Sequence, residues 1–358
     1  MAQHWLNYGL GLDLSKDKID ACFGAKNQEQ AFKIIAQRRF ANTEKGYQAL
    51  VLWLEKKRKD KTLSWQIALE VTGVYHEGVL VYLHDQGYPV CLELAKRVKR
   101  FFQSIGQQSK NDKLDGRGLA HLASERKLKL WAPISPQIYA IRSLLRHRKA
   151  LMVSRVQFTN QLHAVNHSAV KPEAVKRSLE QMIQQLNKQI QKMEDQAQRL
   201  AKKDKAFDDK LQQIVDSVKG LGLISVLTVV AETNGFKEFY SIKQVVRYAG
   251  YDVIENQSGN STGKTRISKQ GNGRIRAVLY MPALAVIRLK VEPFYGLYQR
   301  LLLRNGAIKK KANVAVQRKL LVLIYTLWKK NQPFDERYYQ HVEKQKKDKS
   351  SQKQVAPM

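Results

Sequence analysis

Asp112 and Asp115 stand three residues apart in KNDKLDG (110–116), in a chain with 63 Lys and Arg against 31 Asp and Glu. That step puts both on one face of a helix beginning near Asp112. There they repel each other unless a cation intervenes. Asp13 closes the apolar run GLGLD, and Glu70 closes WQIALE. A carboxylate at the end of an apolar strand is costly to bury unless it is paired or bound to metal. If the two strands are neighbours, both carboxylates project near one sheet edge, and a helix packed on the sheet can bring the aspartate pair to them. Four carboxylates without His or Cys make a hard oxygen donor set, suited to Mg²⁺ or Mn²⁺. Two such ions flanking a phosphate cleave a phosphodiester. Asp17 and Asp20 read as turn and surface residues. His163 and His167 lack the HExxH context of a zinc site and read as core or surface histidines.

The elements that must position these groups begin with three strands, in YGLGLDLS (8–15), KIDACFG (18–24) and AFKIIAQRRFAN (31–42). A helix with Tyr47, Leu50, Val51 and Leu54 on one side follows, with Thr43 as its N-cap. WQIALEV (65–71) is a buried strand, HEGVLVYLHDQG a helix closed by Gly87, YPVCLEL a strand, and AKRVKRFFQSIG a basic helix ending at Gly106. The order βββαβαβα is the connectivity of a ribonuclease H-like (RuvC-like) domain, assigned to residues 1–130. Residues 131–215 carry no strand signal. Leu179, Met182, Leu186, Ile190 and Met193 recur at three- and four-residue steps, the pattern of a coiled coil or helical hairpin that joins subunits. A mainly helical domain spans 216–335. It opens with VKGLGLISVLTVVAE, a helix–hairpin–helix-like pattern whose tight turn presents N–H groups to phosphate. SIKQVVRYAG is a helix ended by Gly250. RIRAVLYMPALAVIRL and ANVAVQRKLLVLIYTLWKK are two further apolar helices. The tail, 336–358, is basic, poor in apolar residues and expected to be disordered.

Bulk composition agrees with a polyanion partner. The formal net charge is +32 and the isoelectric point about 10.0, which favours nucleic acid through counterion release. No apolar run approaches the roughly 18–20 residues that span a bilayer, so no membrane association is expected. The N-terminus lacks the basic-then-apolar order of a secretion signal, and Cys22 and Cys91 sit in strand-like runs as buried thiols. Both point to the cytoplasm.

QSGNSTGKTRISKQGNGR (257–274) is polar, basic and glycine-rich. Gly259 to Thr265 falls one residue short of a phosphate-binding P-loop and lacks the preceding apolar strand. Ser258 beside Gly259 is a nucleophile candidate, with Ser225, Ser241, Ser261 and Ser268 as competitors. Lys264, Arg266, Lys269, Arg274 and Arg276 can hold phosphates around it, as Lys110 and Arg117 can beside the aspartate pair. A phosphoserine keeps the energy of the broken bond, so strands can be rejoined without ATP, which metal-activated water does not allow. The residues alone leave three readings open: a recombinase, a junction nuclease that uses water, and an inert RNA- or DNA-binding protein.

From about residue 8 to 335 the chain resembles the DEDD transposases of insertion sequences, the group that includes pilin-gene invertases and RNA-guided bridge recombinases. The resemblance is carried in order by GLDLSKDKID, ALEVTGVYHE, KNDKLDGRGLA, VKGLGLISVLTVVAE, RYAGYDV, QSGNSTGKTRISKQGNGRIRAVLYMPALA and VQRKLLVLIYTLWKK. It implies that Asp13, Glu70, Asp112 and Asp115 bind the metal and that the nucleophile is Ser258. It also implies donor and target DNA as substrates, paired by a noncoding RNA from the same element, in a bacterial cell at the nucleoid. Assembly is implied as dimers that join into a tetramer, the serine of one chain meeting the carboxylates of another.

Overall fold

The structure is a computed structural model that describes residues 5–71, 73–106, 112–255, 257–258, 261–263, 265–304, 306 and 308–337; at 112–114, 257–258 and 261–262 it describes the backbone alone. Lys110, Gly259, Lys264 and the tail from 338 lie outside the described residues. The chain forms two compact units, Met1–Pro133 and Ile134–Met358.

The first unit is built on a five-stranded sheet in the order β3-β2-β1-β4-β5. Strands β1 (Trp5–Leu14), β2 (Lys18–Asn27) and β3 (Phe32–Ala41) pair antiparallel; β4 (Ser64–Glu70) and β5 (Val90–Glu93) extend the other side of β1 in parallel. Side chains alternate between the two faces. Leu10, Leu12, Phe23, Ile67 and Leu69 share one core with Leu50 and Leu54 of α1 (Glu44–Lys57) and Leu80 and Leu83 of α2 (Glu77–Asp85). Thr43 caps α1, accepting the Gly46 N–H through its hydroxyl. On the other face Ala68 and Cys91 pack with Val98 and Phe101 of α3 (Ala95–Ser104) and Leu119 and Leu122 of α4 (Asp112–Glu125). Both cysteines are buried free thiols, and burial raises Cys22 to about 11 and Cys91 to about 12.

The second unit is mainly helical. α5 (Pro136–His167) and α6 (Glu173–Lys202) form a long antiparallel hairpin, Gln137 reaching the Leu200 carbonyl and Arg155 reaching Asn187. His163 and His167 stack on its exposed surface. α7 (Lys205–Ser217), α8 (Leu223–Glu232) and α9 (Ile242–Ala249) follow, Gly250 taking the left-handed conformation that ends α9. Two short antiparallel ladders lie in and beside the polar, glycine-rich stretch: β6 (Val253–Ile254) with β9 (Arg266–Ile267), and β7 (Gln257–Ser258) with β8 (Ser261–Thr262). RIRAVLYMPALAVIRL is not one helix. It divides at Leu279 into α10 (Gly273–Val278) and α11 (Tyr280–Arg288). Pro282 lacks an N–H and clashes with the carbonyl four residues back, at Val278, so the ladder breaks there. α12 (Phe294–Arg304) and α13 (Lys309–Lys330) complete the unit.

Candidate active site

The carboxylate site is set by two glycines. In β1 the α3/α4-facing positions are Gly9, Gly11 and Asp13. A Cβ on Gly9 would lie 2.1 Å from the Ala120 carbonyl oxygen, and one on Gly11 2.1 Å from that of Gly116. Helix α4 therefore lies directly on the β1 backbone. A two-residue step in a strand covers about 6.6 Å and a four-residue step in a helix about 6 Å. Gly9 faces residues 120–124 and Gly11 faces 116–120; by the same step Asp13 faces the first turn of α4, which carries Asp112 and Asp115.

Glu70 joins them by register. The parallel β1–β4 ladder pairs Leu12 with Leu69, and Asp13 and Glu70 each follow by one residue. Asp13 is half-buried and accepts the Leu14 N–H through Oδ1 at 3.0 Å. Glu70 and Asp115 are half-buried as well. The Asp112 side chain lies outside the described residues, and among those described no three Asp, Glu, His or Cys side chains gather as a metal-holding group. The first unit thus brings Asp13, Glu70 and the start of α4 to the same end of one sheet face. Its donors, carboxylates only, suit a hard divalent cation. Asp20, the Cα partner of Asp13, is held by both arms of Arg39 at 2.9 and 3.0 Å. Arg117 is exposed on α4.

In the first unit, sequence reasoning missed one buried acidic residue. Glu93 pairs with Glu70 across β4 and β5 and is 3% exposed. Burial raises its carboxyl, although Arg97 at 2.9 Å pulls the other way. The signal was the same as for Asp13 and Glu70: an acid ending an apolar strand, here YPVCLEL.

The second unit carries Ser258. Its Cα pairs with that of Ser261 at the end of the β7–β8 ladder. The base of this arm is fixed by polar bonds. Ser268 N–H donates to the Asp252 carbonyl at 2.8 Å, and its hydroxyl bonds the Asp252 carboxylate. Arg266, Lys269 and Arg274 are exposed; Arg276 is half-buried and donates to the Ala249 carbonyl at 2.7 Å. Beneath the arm, buried Glu232 accepts two bonds from Arg146 at 2.8 Å and one from Asn272 at 2.7 Å. Burial would raise the Glu232 carboxyl, but these bonds and the charges of Arg146 and Arg274 hold it below the usual carboxylate range. Nothing in the spacing of residues 146, 232 and 272 announces this contact, because it joins three separate elements.

A mixed sheet with acidic strand ends, and a helix lying over it, is the architecture expected of an N-terminal ribonuclease H-like domain in a nucleic-acid enzyme. A DEDD transposase model of the IS110 type matches residues 10–168, and one described as "Transposase IS116/IS110/IS902 family" matches 212–299. The chain belongs to the IS110-type DEDD transposases. It is 24% identical to a pilin gene-inverting protein of Moraxella bovis, over 92% of this chain and 98% of that one. It is 22% identical to the transposase of insertion sequence element IS1111A from Coxiella burnetii, over 78% of each chain. Proteins of this family are transposases and recombinases that act on DNA, breaking strands and transferring them. Among the described residues no helix is long and apolar enough to cross a membrane.

Proposed function

We propose that this chain cleaves and rejoins DNA using divalent cations held by Asp13, Glu70, Asp112 and Asp115, with Ser258 as the nucleophile. The observation that carries the reading is the contact of α4 with Gly9 and Gly11, since it directs the first turn of α4 toward Asp13. A divalent cation at those carboxylates would stabilise charge on the attacking and departing oxygens. The Ser258 hydroxyl loses its proton, the Oγ–P bond forms, one P–O bond of the strand breaks, and the released sugar oxygen takes up a proton. Attack by a second strand's hydroxyl on the phosphoserine reverses these changes and joins the new ends. Lys110, Arg117, Lys264, Arg266, Lys269, Arg274 and Arg276 are the proposed phosphate contacts. Arg276, tied to Ala249, serves by shaping the arm as well.

The proposed division is a carboxylate domain over 1–130, an oligomerisation segment over 131–215, a serine-bearing domain over 216–335, and a basic tail. The turn between α7 and α8 is the helix–hairpin–helix-like phosphate contact. Exposed Val153, Val156, Val175 and Met182 on the α5–α6 hairpin support the joining of dimers into a tetramer. The net charge of +32 supports a polyanion partner; the guide RNA beside the DNA is proposed from the family, with pairing doing the sequence reading.

The test is a trapped adduct. With Mg²⁺ and cognate DNA, Ser258→Ala is expected to abolish a covalent protein–DNA species that Ser261→Ala retains. Cut DNA with no adduct in the unaltered protein would instead mean water-dependent cleavage. Asp112→Asn is expected to lose chemistry while keeping most nucleic-acid affinity; weak binding with normal turnover would contradict the assignment.

A further inference from the structure

A second charged feature lies away from the carboxylates, in the cleft between α5, α8 and α10. It encloses about 260 Å³, wholly within the second unit. Its walls carry five cations, Arg142, Arg146, Arg148, Lys149 and Arg274. Two carboxylates answer them: Glu232 binds Arg146, and Glu194 binds Arg148. Among the described residues, Arg142, Lys149 and Arg274 form no ion pair. Arg142 is half-buried, with its guanidinium over the Tyr139 ring at 5.5 Å. Burial, and then the charge of Arg146, lower its pKa from the ordinary value. The cleft is therefore short of negative charge.

The remaining wall suits an anion. Ile224 and Ser225 belong to the first turn of α8, the positive end of its dipole, and Ser225 adds a hydroxyl. Metal cations and cationic peptides are repelled by such a lining. An extended polyanion is favoured over a small one by what adjoins the cleft. Arg274 opens α10, and Asn272 just before it is tied to Glu232 and to the Tyr248 carbonyl. Those residues follow β9, at the base of the arm that carries Ser258, after four intervening residues. A strand engaged by the arm can continue into the cleft.

We propose that this cleft seats a backbone phosphate of a polynucleotide strand, held by Arg142, Lys149 and Arg274, with Glu232 as the positioning residue that fixes Arg146 and Asn272. The proposal rests on the reading that the chain acts on nucleic acid, and adds Arg142 and Lys149, which lie in none of the sequence motifs.

The experiment measures binding of the full chain to a mixed-sequence duplex DNA and, separately, to a mixed-sequence RNA across a KCl series. Arg142→Gln with Lys149→Gln is expected to weaken binding roughly ten-fold in at least one arm and to make the salt slope shallower by about 2. Arg274→Gln, at an exposed position, is expected to lower the slope by about 1. Lys188→Gln with Lys192→Gln removes equal charge from exposed positions on α6 and is expected to change affinity less than about two-fold. The arm that responds identifies the strand. Equal losses in the cleft and α6 variants, or no loss in either arm, would overturn the proposal. So would thermal stabilisation by inorganic phosphate with DNA and RNA binding unchanged in the cleft variants, which is the behaviour of a small-anion site. Failure of the unaltered protein to bind either polymer would overturn the underlying reading along with it.

Discussion

At the scale of single residues, Glu232 and Asp13 show two uses of a carboxylate in a basic chain. Glu232 is 3% exposed and saturated with donors from Arg146 and Asn272. The partners agree in sign: Glu232 is lowered and Arg146 raised. Its depressed folded pKa means that its contribution is present above the unfolded value, near 4.5, and is lost as pH falls through the folded value. Glu232→Gln is therefore expected to flatten the acid limb of a stability–pH curve. It should also cost about 1–2 kcal/mol at neutral pH, less than a fully buried pair because the Arg146 side chain is 40% exposed. Urea melts across pH 3–7 check both; an unchanged acid limb would refute the ion-pair account. Asp13, by contrast, stands half-buried at a strand end, facing the turn that carries two more acids. Asp13→Asn is expected to leave the melting curve nearly intact and to reduce strand transfer by at least about a hundred-fold, read in a cleavage assay with Mg²⁺.

At the scale of elements, the decisive contact is α4 on β1. Gly11→Ala would put a Cβ 2.1 Å from the Gly116 carbonyl and 2.3 Å from the Ala120 N–H nitrogen, both backbone atoms. The helix must move, at about 1–3 kcal/mol in overpacking strain, and its first turn moves with it. Strand transfer is expected to fall well beyond what the lost stability explains. A Gly11→Ala protein with normal activity would mean that the seating of α4 does not matter. Most elements of the first unit were legible because each announces itself locally: alternating apolar residues in β1 and β2, the Thr43 cap, Gly87 and Gly106 at helix ends. α12 escaped notice because FYGLYQRLLLR lacks a clear capping residue. The ladders at 253–267 escaped because two-residue strands leave no periodic pattern.

For the whole molecule, charge is the dominant property. A chain with 63 Lys and Arg and a net +32 holds nucleic acid largely by counterion release. Affinity for mixed-sequence DNA is expected to fall about 10³-fold or more between 50 and 200 mM salt, as for proteins that make six or more phosphate contacts. A flat salt profile would be inconsistent with that picture. Each unit has its own hydrophobic packing, which in the first lies on both faces of one sheet, so the segment 1–133, expressed alone, is expected to unfold in one cooperative thermal transition.

The sequence by itself determined the polyanion partner, the order of strands and helices in the first unit, and the family, because charge, periodicity and motif order are properties of the linear chain. It also marked Asp13, Glu70 and the Asp112–Asp115 step as costly places for an acid. Only the tertiary structure decided that Gly9 and Gly11 are the seat of α4, that Glu93 stands beside Glu70, and that Arg142, Lys149 and Arg274 line one cleft around the Glu232 hub. Such facts depend on strand register and on helix packing distance, and residues tens of positions apart or more carry no local trace of either.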